Sequence, residues 1–435
     1  MGNYKTKTTV TDFGPYVTAL LLNAGGPVAA KNLAARDFEV YVERKSRKTG
    51  KILKTKEFFQ WDEEPAPAAG TRRVIRAYPC DSAGVPCDLG EWVALELETD
   101  ALGKTIDGNT FSQNDYRITY RGAEALLKER AVFDTYDGGL CPQLEGWANV
   151  RVWQESAGQA GGAKARRGEL RLSYGYYTPP LARSPERAAR PLPLVVWLHG
   201  AGEGGTEPEI AYTGNKAVHL SSKEIQDKLG GQAWVLVPQC PTVWMDDGIE
   251  QLGRSNESIY TAPLKACIDE FIQERQGLVD VSRIYLGGCS NGGFMTVRMA
   301  IDYPGFWAAI FPVCEAFFEE NLTPERLKVL EEIPCWLVHA RGDALVDPRQ
   351  TVIPLYQKLK AAGADNIHLT YFDSMDAECA PFWKNEKLPP HIFDHGVWVN
   401  VYNDQCTQDF DGSPVLCGEK PVTLFEWLGQ QKSRL

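Results

Sequence analysis

Two textures of hydrophobic patterning divide the chain. Over roughly the first 125 residues, apolar and polar positions alternate in short runs. Phe38, Val40 and Val42 alternate with Glu39, Tyr41 and Glu43, and Val93, Leu95 and Leu97 alternate with Ala94, Glu96 and Glu98. A period of two marks a strand with one buried face. Gly- and Pro-rich stretches at 23–27, 64–67 and 107–109 read as turns between such strands. Farther along, solid apolar runs of strand length replace the alternation. Leu192-Pro193-Leu194-Val195-Val196-Trp197-Leu198 is the longest, followed by runs at 234–237, 308–311 and 335–338, and 367–372 reads as a further strand. Between them, Leu264, Cys267, Ile268, Phe271 and Ile272 recur at helical spacing, and 352–360 and 424–431 read as further helices.

About seven short strands predict an immunoglobulin-like β-sandwich for residues 1–125. Residues 126–168 read as a connecting segment, with a flexible loop or hairpin tip at 158–167. A strand opening between Gly168 and Tyr177 starts the second pattern. Strand and helix in alternation predict an α/β domain over 169–435, a mostly parallel sheet with helices on both faces.

Composition narrows the function. The chain has 435 residues, enough for two or three domains, with 43% hydrophobic and 24% charged positions. A formal net charge of −11 and the lack of a Lys/Arg block argue against nucleic acid and anionic membrane as partners. The apolar run Val17 to Leu22 is too short for a signal peptide or membrane span, so the chain as written is expected to be cytoplasmic. Its 11 cysteines show no metal-ligand spacing. They read as small buried hydrophobes in a reducing compartment, and neither metal nor cofactor is expected.

Chemistry concentrates at Gly288-Cys289-Ser290-Asn291-Gly292, between a strand pattern at 282–287 and a helix pattern at 294–300. A serine between two glycines at a strand-to-helix turn is a nucleophile elbow, which thrusts the hydroxyl out of the sheet. The helix starting there points free N–H groups at the same spot. A serine hydroxyl needs a base, and an imidazole needs a carboxylate to hold its tautomer. His395, on a loop before the closing helix, is the expected base, with His391 the alternative; His368 lies within a strand pattern and reads as structural. Asp343 leaves the strand ending at Val338 and is the expected acid, whereas Asp347, before Pro348, reads as a helix cap. The oxyanion hole is expected from the N–H of Asn291 and that of Ala201 or Gly200. His199 reads as a residue ordering the oxyanion loop. Trp244, Trp398, Phe317 and Phe382 are aromatic candidates for a substrate site, and Glu315 a charged one.

Leu198-His199-Gly200-Ala201-Gly202-Glu203, Pro238-Gln239-Cys240-Pro241, the elbow and His395-Gly396-Val397-Trp398 together resemble the "predicted peptidase" esterases of the α/β-hydrolase superfamily. These are relatives of polyhydroxybutyrate depolymerases and of feruloyl and acetylxylan esterases. Some carry an N-terminal immunoglobulin-like domain, and Asp12-Phe13-Gly14-Pro15-Tyr16-Val17 looks like its start. The resemblance implies a serine carboxylic-ester hydrolase acting on a small soluble ester through an acyl-enzyme, with a serine peptidase or an acyltransferase as alternatives. A non-enzymatic assembly protein fits least, because the set of Ser290, Asp343 and His395 is complete. Relatives with the extra domain also imply a homo-oligomer formed through it.

Overall fold

The computed structural model describes residues 2–56, 64–122, 131–152, 170–183, 190–375 and 394–433. One compact unit ends at Glu145 and a second begins at Gly146.

The first unit is built from β1 (Gly2–Thr11), β2 (Gly14–Ala29), β3 (Phe38–Ser46), β4 (Ala69–Arg72), β5 (Val74–Cys80), β6 (Leu89–Leu97), β7 (Thr110–Tyr120) and β8 (Val132–Leu140). Their order is β4-β3-β7-β8-β1-β2-β6-β5, with the short strand Ile106–Asp107 on β7. Alternate residues of facing strands close one core: Leu20 and Leu22, Val40 and Val42, Val93 and Leu95, Tyr116 and Ile118. The alternation read from the sequence is therefore the inward face of the strands.

Three local expectations are corrected. Residues 23–27 are a bulge inside β2, where Asn23 Oδ1 accepts the Gly25 N–H at 2.9 Å and the register against β6 slips. Residues 12–17 do not start the domain; β1 precedes them, and Thr11 to Gly14 is the β1–β2 turn, closed by the Thr11 hydroxyl on the Gly14 carbonyl. Finally, 126–168 is not merely a connector. β8 pairs with β1 and β7 in the first sheet, while β9 (Trp147–Val150) belongs to the second. Both strands escape periodicity: only Phe133 of β8 is buried, and β9 has four residues. The proposed loop tip at 158–167 lies outside the described residues.

The second unit has one eight-stranded mixed sheet. Its strands are β9, β10 (Ser173–Tyr177), β11 (Leu192–Leu198), β12 (Trp234–Gln239), β13 (Val279–Cys289), β14 (Ala309–Val313), β15 (Cys335–Ala340) and β16 (Ile367–Phe372). The order is β9-β10-β12-β11-β13-β14-β15-β16; the first two pairings are antiparallel and the rest parallel. Crossover segments carry α1 (Pro208–Thr213), α2 (Thr261–Glu274), α3 (Asn291–Asp302), α4 (Pro324–Glu331) and α5 (Val352–Ala362); α6 (Trp398–Tyr402) and α7 (Leu424–Leu428) follow β16.

Both faces of the sheet are covered, which explains the unbroken apolar runs. Leu194, Val196 and Leu198 of β11 pack with Leu264 and Phe271 of α2, Phe294 and Val297 of α3, and Leu355 of α5. On the other face Trp197 meets the Tyr402 ring of α6 at 5.3 Å, and Phe311 and Trp336 meet Phe425 and Trp427 of α7. Among the described residues, no helix is long and apolar enough to cross a membrane.

Candidate active site

β13 lies in the middle of the parallel part, between β11 and β14, and runs directly into the elbow. Ser290 has φ 57° and ψ −119°, a left-handed backbone rare for a non-glycine residue. Strain of this kind persists only where the surroundings impose it. Here the Ser290 N–H is fixed on the Val313 carbonyl of β14 at 2.8 Å, and the Ser290 carbonyl accepts the Phe294 N–H at 3.0 Å. The glycines answer to space. A Cβ on Gly288 would lie 2.6 Å from the Gly292 carbonyl oxygen and 2.8 Å from the Leu198 Cβ.

The structure brings the three predicted polar residues together. His395 Nε2 is 2.9 Å from Ser290 Oγ, and His395 Nδ1 is 2.7 Å from Asp343 Oδ2. His395 sits in the short turn Asp394–Gly396 just before α6 and is buried. A thiol helps fix this turn: Cys314 Sγ donates to the His395 carbonyl at 3.0 Å. His391 lies outside the described residues. His368, in β16, hydrogen-bonds Asp409 at 3.1 Å and packs against Trp336 and Trp427, a structural role.

Asp343 follows β15 and is buried. Its Oδ1 accepts the N–H groups of Leu345 and Val346, each at 2.9 Å. Its Oδ2 also receives His339 Nε2 at 3.1 Å. Burial pushes this carboxyl up, but the hydrogen bonds from His339 and His395 outweigh it and hold the group well below the usual carboxylate range. Asp347 is instead a surface residue paired with Arg349 at 2.8 Å. It accepts the Arg349 N–H and shapes a turn before α5; the residue flanking that helix is Thr351, so the expected helix cap is corrected to a turn brace.

The loop after β11 is held from inside. His199 is buried, with Nδ1 2.7 Å from the Gly200 carbonyl, while Nε2 accepts the Cys240 N–H at 3.1 Å. The proton therefore sits on Nδ1. Burial pushes His199 down to about 4, so the ring is neutral at neutral pH. Glu203 is also buried, and its Oε2 accepts the Gly200 N–H at 2.8 Å. This occupies the Gly200 donor and leaves Ala201 at the start of the turn Ala201–Glu203. Gln239 Nε2, at the end of β12, ties down the Glu203 carbonyl at 2.8 Å, which explains the glutamine of the Pro-Gln-Cys-Pro signature.

Of the expected substrate residues, Trp244 and Glu315 are fully buried. The Trp244 N–H donates to Asn291 Oδ1 at 2.6 Å and its ring packs on His199 and Tyr260, so it braces the first residue of α3. Glu315 accepts the Phe317 N–H at 2.5 Å, against the first turn of α3 at Gly293; burial pushes its carboxyl up to about 8. Phe317 is likewise buried, its ring stacked near Phe294, and Phe382 lies outside the described residues. Trp398 stands edge-on to the His395 ring at 5.5 Å and retains slight exposure.

The donor atoms of Cys314, Asp343 and His395 lie within 4.8 Å of one another. Hydrogen bonding accounts for this grouping, and burial holds the Cys314 thiol protonated, a poor state for a metal ligand. Sequence reasoning missed His339, four residues before Asp343 and turned onto the same carboxylate, and Glu203 as the internal support of its loop.

The comparisons agree with this architecture. Residues 3–136 match the family model of the esterase Ig-like N-terminal domain. The whole chain shares its fold with a thermostable esterase of known structure, at TM-score 0.70 and 22% identity over 99% of both chains. Weaker likenesses reach a ferulic acid esterase, at TM-score 0.37 and 13% identity over 52% of this chain and 89% of the other. An acylaminoacyl peptidase of Pyrococcus horikoshii follows at TM-score 0.36 and 14% identity, over 72% and 47% of the respective chains. No curated protein matches the chain.

Proposed function

We propose that the chain is a serine carboxylic-ester hydrolase whose second unit is an α/β-hydrolase catalytic domain. The observation that carries this reading is the unbroken path from Ser290 Oγ to His395 Nε2 at 2.9 Å and from His395 Nδ1 to Asp343 Oδ2 at 2.7 Å, on a strained elbow. Ser290 attacks the ester carbonyl as His395 takes its proton. Asp343 holds the imidazole tautomer and steadies the imidazolium. The N–H groups of Asn291 and Ala201 receive the oxyanion. His395 then protonates the departing alcohol, and water, deprotonated by the same base, releases the acid from the acyl-enzyme.

An ester suits this site better than a peptide. A peptidase needs charged anchors for its substrate chain, and the acids Glu203 and Glu315 are buried and engaged with backbone N–H groups. Among the described residues, Trp398, beside His395, is the aromatic candidate left to meet substrate. We assign the reaction to a small soluble ester and place the enzyme in a reducing, cytoplasmic setting, and we propose self-association through the N-terminal unit. A panel of activated esters of graded acyl length and aromaticity, run beside aminopeptidase and endopeptidase substrates, tests the reading. Ester turnover with the peptides untouched is expected; the reverse preference would overturn it.

A further inference from the structure

Two imidazoles converge on one oxygen of Asp343. His395 Nδ1 approaches Oδ2 at 2.7 Å and His339 Nε2 approaches the same atom at 3.1 Å. His339 is the penultimate residue of β15 and is fully buried. Its Nε2 also lies 3.1 Å from the Val346 carbonyl. An ionised carboxylate and a carbonyl only accept, so Nε2 carries the proton and is shared between them. Its Nδ1 has no partner among the described residues. A buried ring nitrogen without a partner is costly. Isolated packing at this position is met at less cost by an apolar side chain, so the histidine is explained by what Nε2 does.

We infer that His339 is a positioning residue for Asp343: it holds Oδ2 beside His395 and draws off part of the oxygen's negative charge, and so sets how strongly the His395 imidazolium is stabilised. The inference rests on the reading of Ser290, His395 and Asp343 as a triad. A carboxylate with more donors is a weaker acceptor for each of them. Without the Nε2–H, charge returns to Oδ2 and the imidazolium gains stabilisation. The acid limb of the activity profile then moves upward, and a base held protonated longer lowers turnover at neutral pH.

Other titratable groups face this pair. The Cys314 thiol sits against the His395 carbonyl and, pushed up by burial, stays uncharged. Ser290 lies on the far side of the ring. Asp394, the neighbour of His395, has its carboxylate engaged by the Met375 N–H at 3.0 Å. Glu315, next to Cys314, ionises only on the alkaline side, at about 8. None of them replaces the donor that His339 supplies to Oδ2.

The test compares kcat and KM across pH for the full chain and for His339→Leu, His339→Asn and His339→Gln, normalised by phosphonate titration of active sites. The Gln amide reaches the Nε2 position and keeps a donor; the Asn amide stops near Nδ1, and Leu has none. Leu and Asn are expected to move the acid-limb midpoint of kcat/KM up by about half to one pH unit and to lower kcat at neutral pH about two- to fivefold, with KM within about twofold. Gln is expected to restore the wild-type midpoint. If Leu does not fold, Asn against Gln carries the same comparison. An unchanged midpoint in Asn and Leu, or a Gln variant no better than Asn, would overturn the inference. Ser290→Ala, run alongside, separates this failure from the other. If that variant keeps wild-type turnover, the triad reading itself fails.

Discussion

Gly292 and Leu198 touch backbone to backbone: a Cβ on Gly292 would lie 2.1 Å from the Leu198 carbonyl oxygen. The start of α3 is thereby pressed onto the end of β11, where the proposed oxyanion loop begins. Gly292→Ala must push these elements apart, and displacement on the order of 1 Å at a reacting centre costs about a hundredfold in rate. The variant is expected to lose at least that much ester turnover and to melt at lower temperature. Turnover within a few-fold of wild type would show that the contact does not set the geometry.

Ser290→Ala is expected to reduce turnover by about three to six decades without changing the circular dichroism spectrum. A phosphonate should label the wild type once, at Ser290, and leave the variant unlabelled. Since no step is assigned to a metal, EDTA should leave the rate unchanged. A label mapped to another residue would redirect the mechanism there.

The two nearby aspartates should separate cleanly. Asp343→Asn places an amide against His395 Nδ1 and favours the wrong tautomer, for a loss of about four decades in kcat. Asp347→Asn weakens a turn and a surface ion pair with Arg349, which costs at most about 1 kcal/mol of stability. Measured turnover numbers in the opposite order would assign the acid to Asp347.

Glu315 gives the fold a pH dependence of definite sign. Burial raises its carboxyl from 4.5 to about 8, against the smaller opposing pull of the Phe317 N–H. Between those values the folded chain binds more protons than the unfolded one, so this group's contribution to stability falls as pH rises through the window and levels off above it. Glu203 acts in the same direction. Glu315→Gln imitates the protonated acid and should flatten the decline in melting temperature from about pH 5 to about pH 9. An identical slope in both proteins would assign the decline to other groups.

Self-association is testable at β5, an end strand of the first sheet, where Ile75 is exposed. Edge strands pair with other chains unless they are blocked. Light scattering should show an oligomer for the full chain and a smaller species for Ile75→Lys. A monomeric wild type would dispose of the proposal.

The parts of the site legible in the sequence are those with short-range signatures. Ser290 was visible because an elbow needs glycines at fixed offsets, and Asp343 because it follows a buried strand. His395 was separable from His391 only by its place on the loop before the closing helix. His339 was passed over because it precedes the acid in the chain; its role depends on the backbone turning between Ala340 and Asp343, and no local pattern encodes that turn. The burial of Trp244 and Glu315 was not legible for a related reason. Lying near strand ends does not tell whether a side chain faces the pocket or the sheet beneath it. In the first unit, alternation marked β3 and β6 well. The bulge in β2 looked like a turn because Gly25 and Pro27 carry the same composition in either setting.

The position of β9 governs how the protein can be taken apart. Its backbone pairs with β10, Trp147 stacks on Tyr212 at 4.3 Å, and the indole N–H is held by Ser221 at 2.9 Å. Excision at residue 168, where the connecting segment was first expected to end, would strip a native strand from the second sheet and leave the backbone groups of β10 open to any passing chain. Excision between Glu145 and Gly146 keeps that strand, so a fragment of the second unit prepared at 146 should stay dispersed where one prepared at 168 clumps.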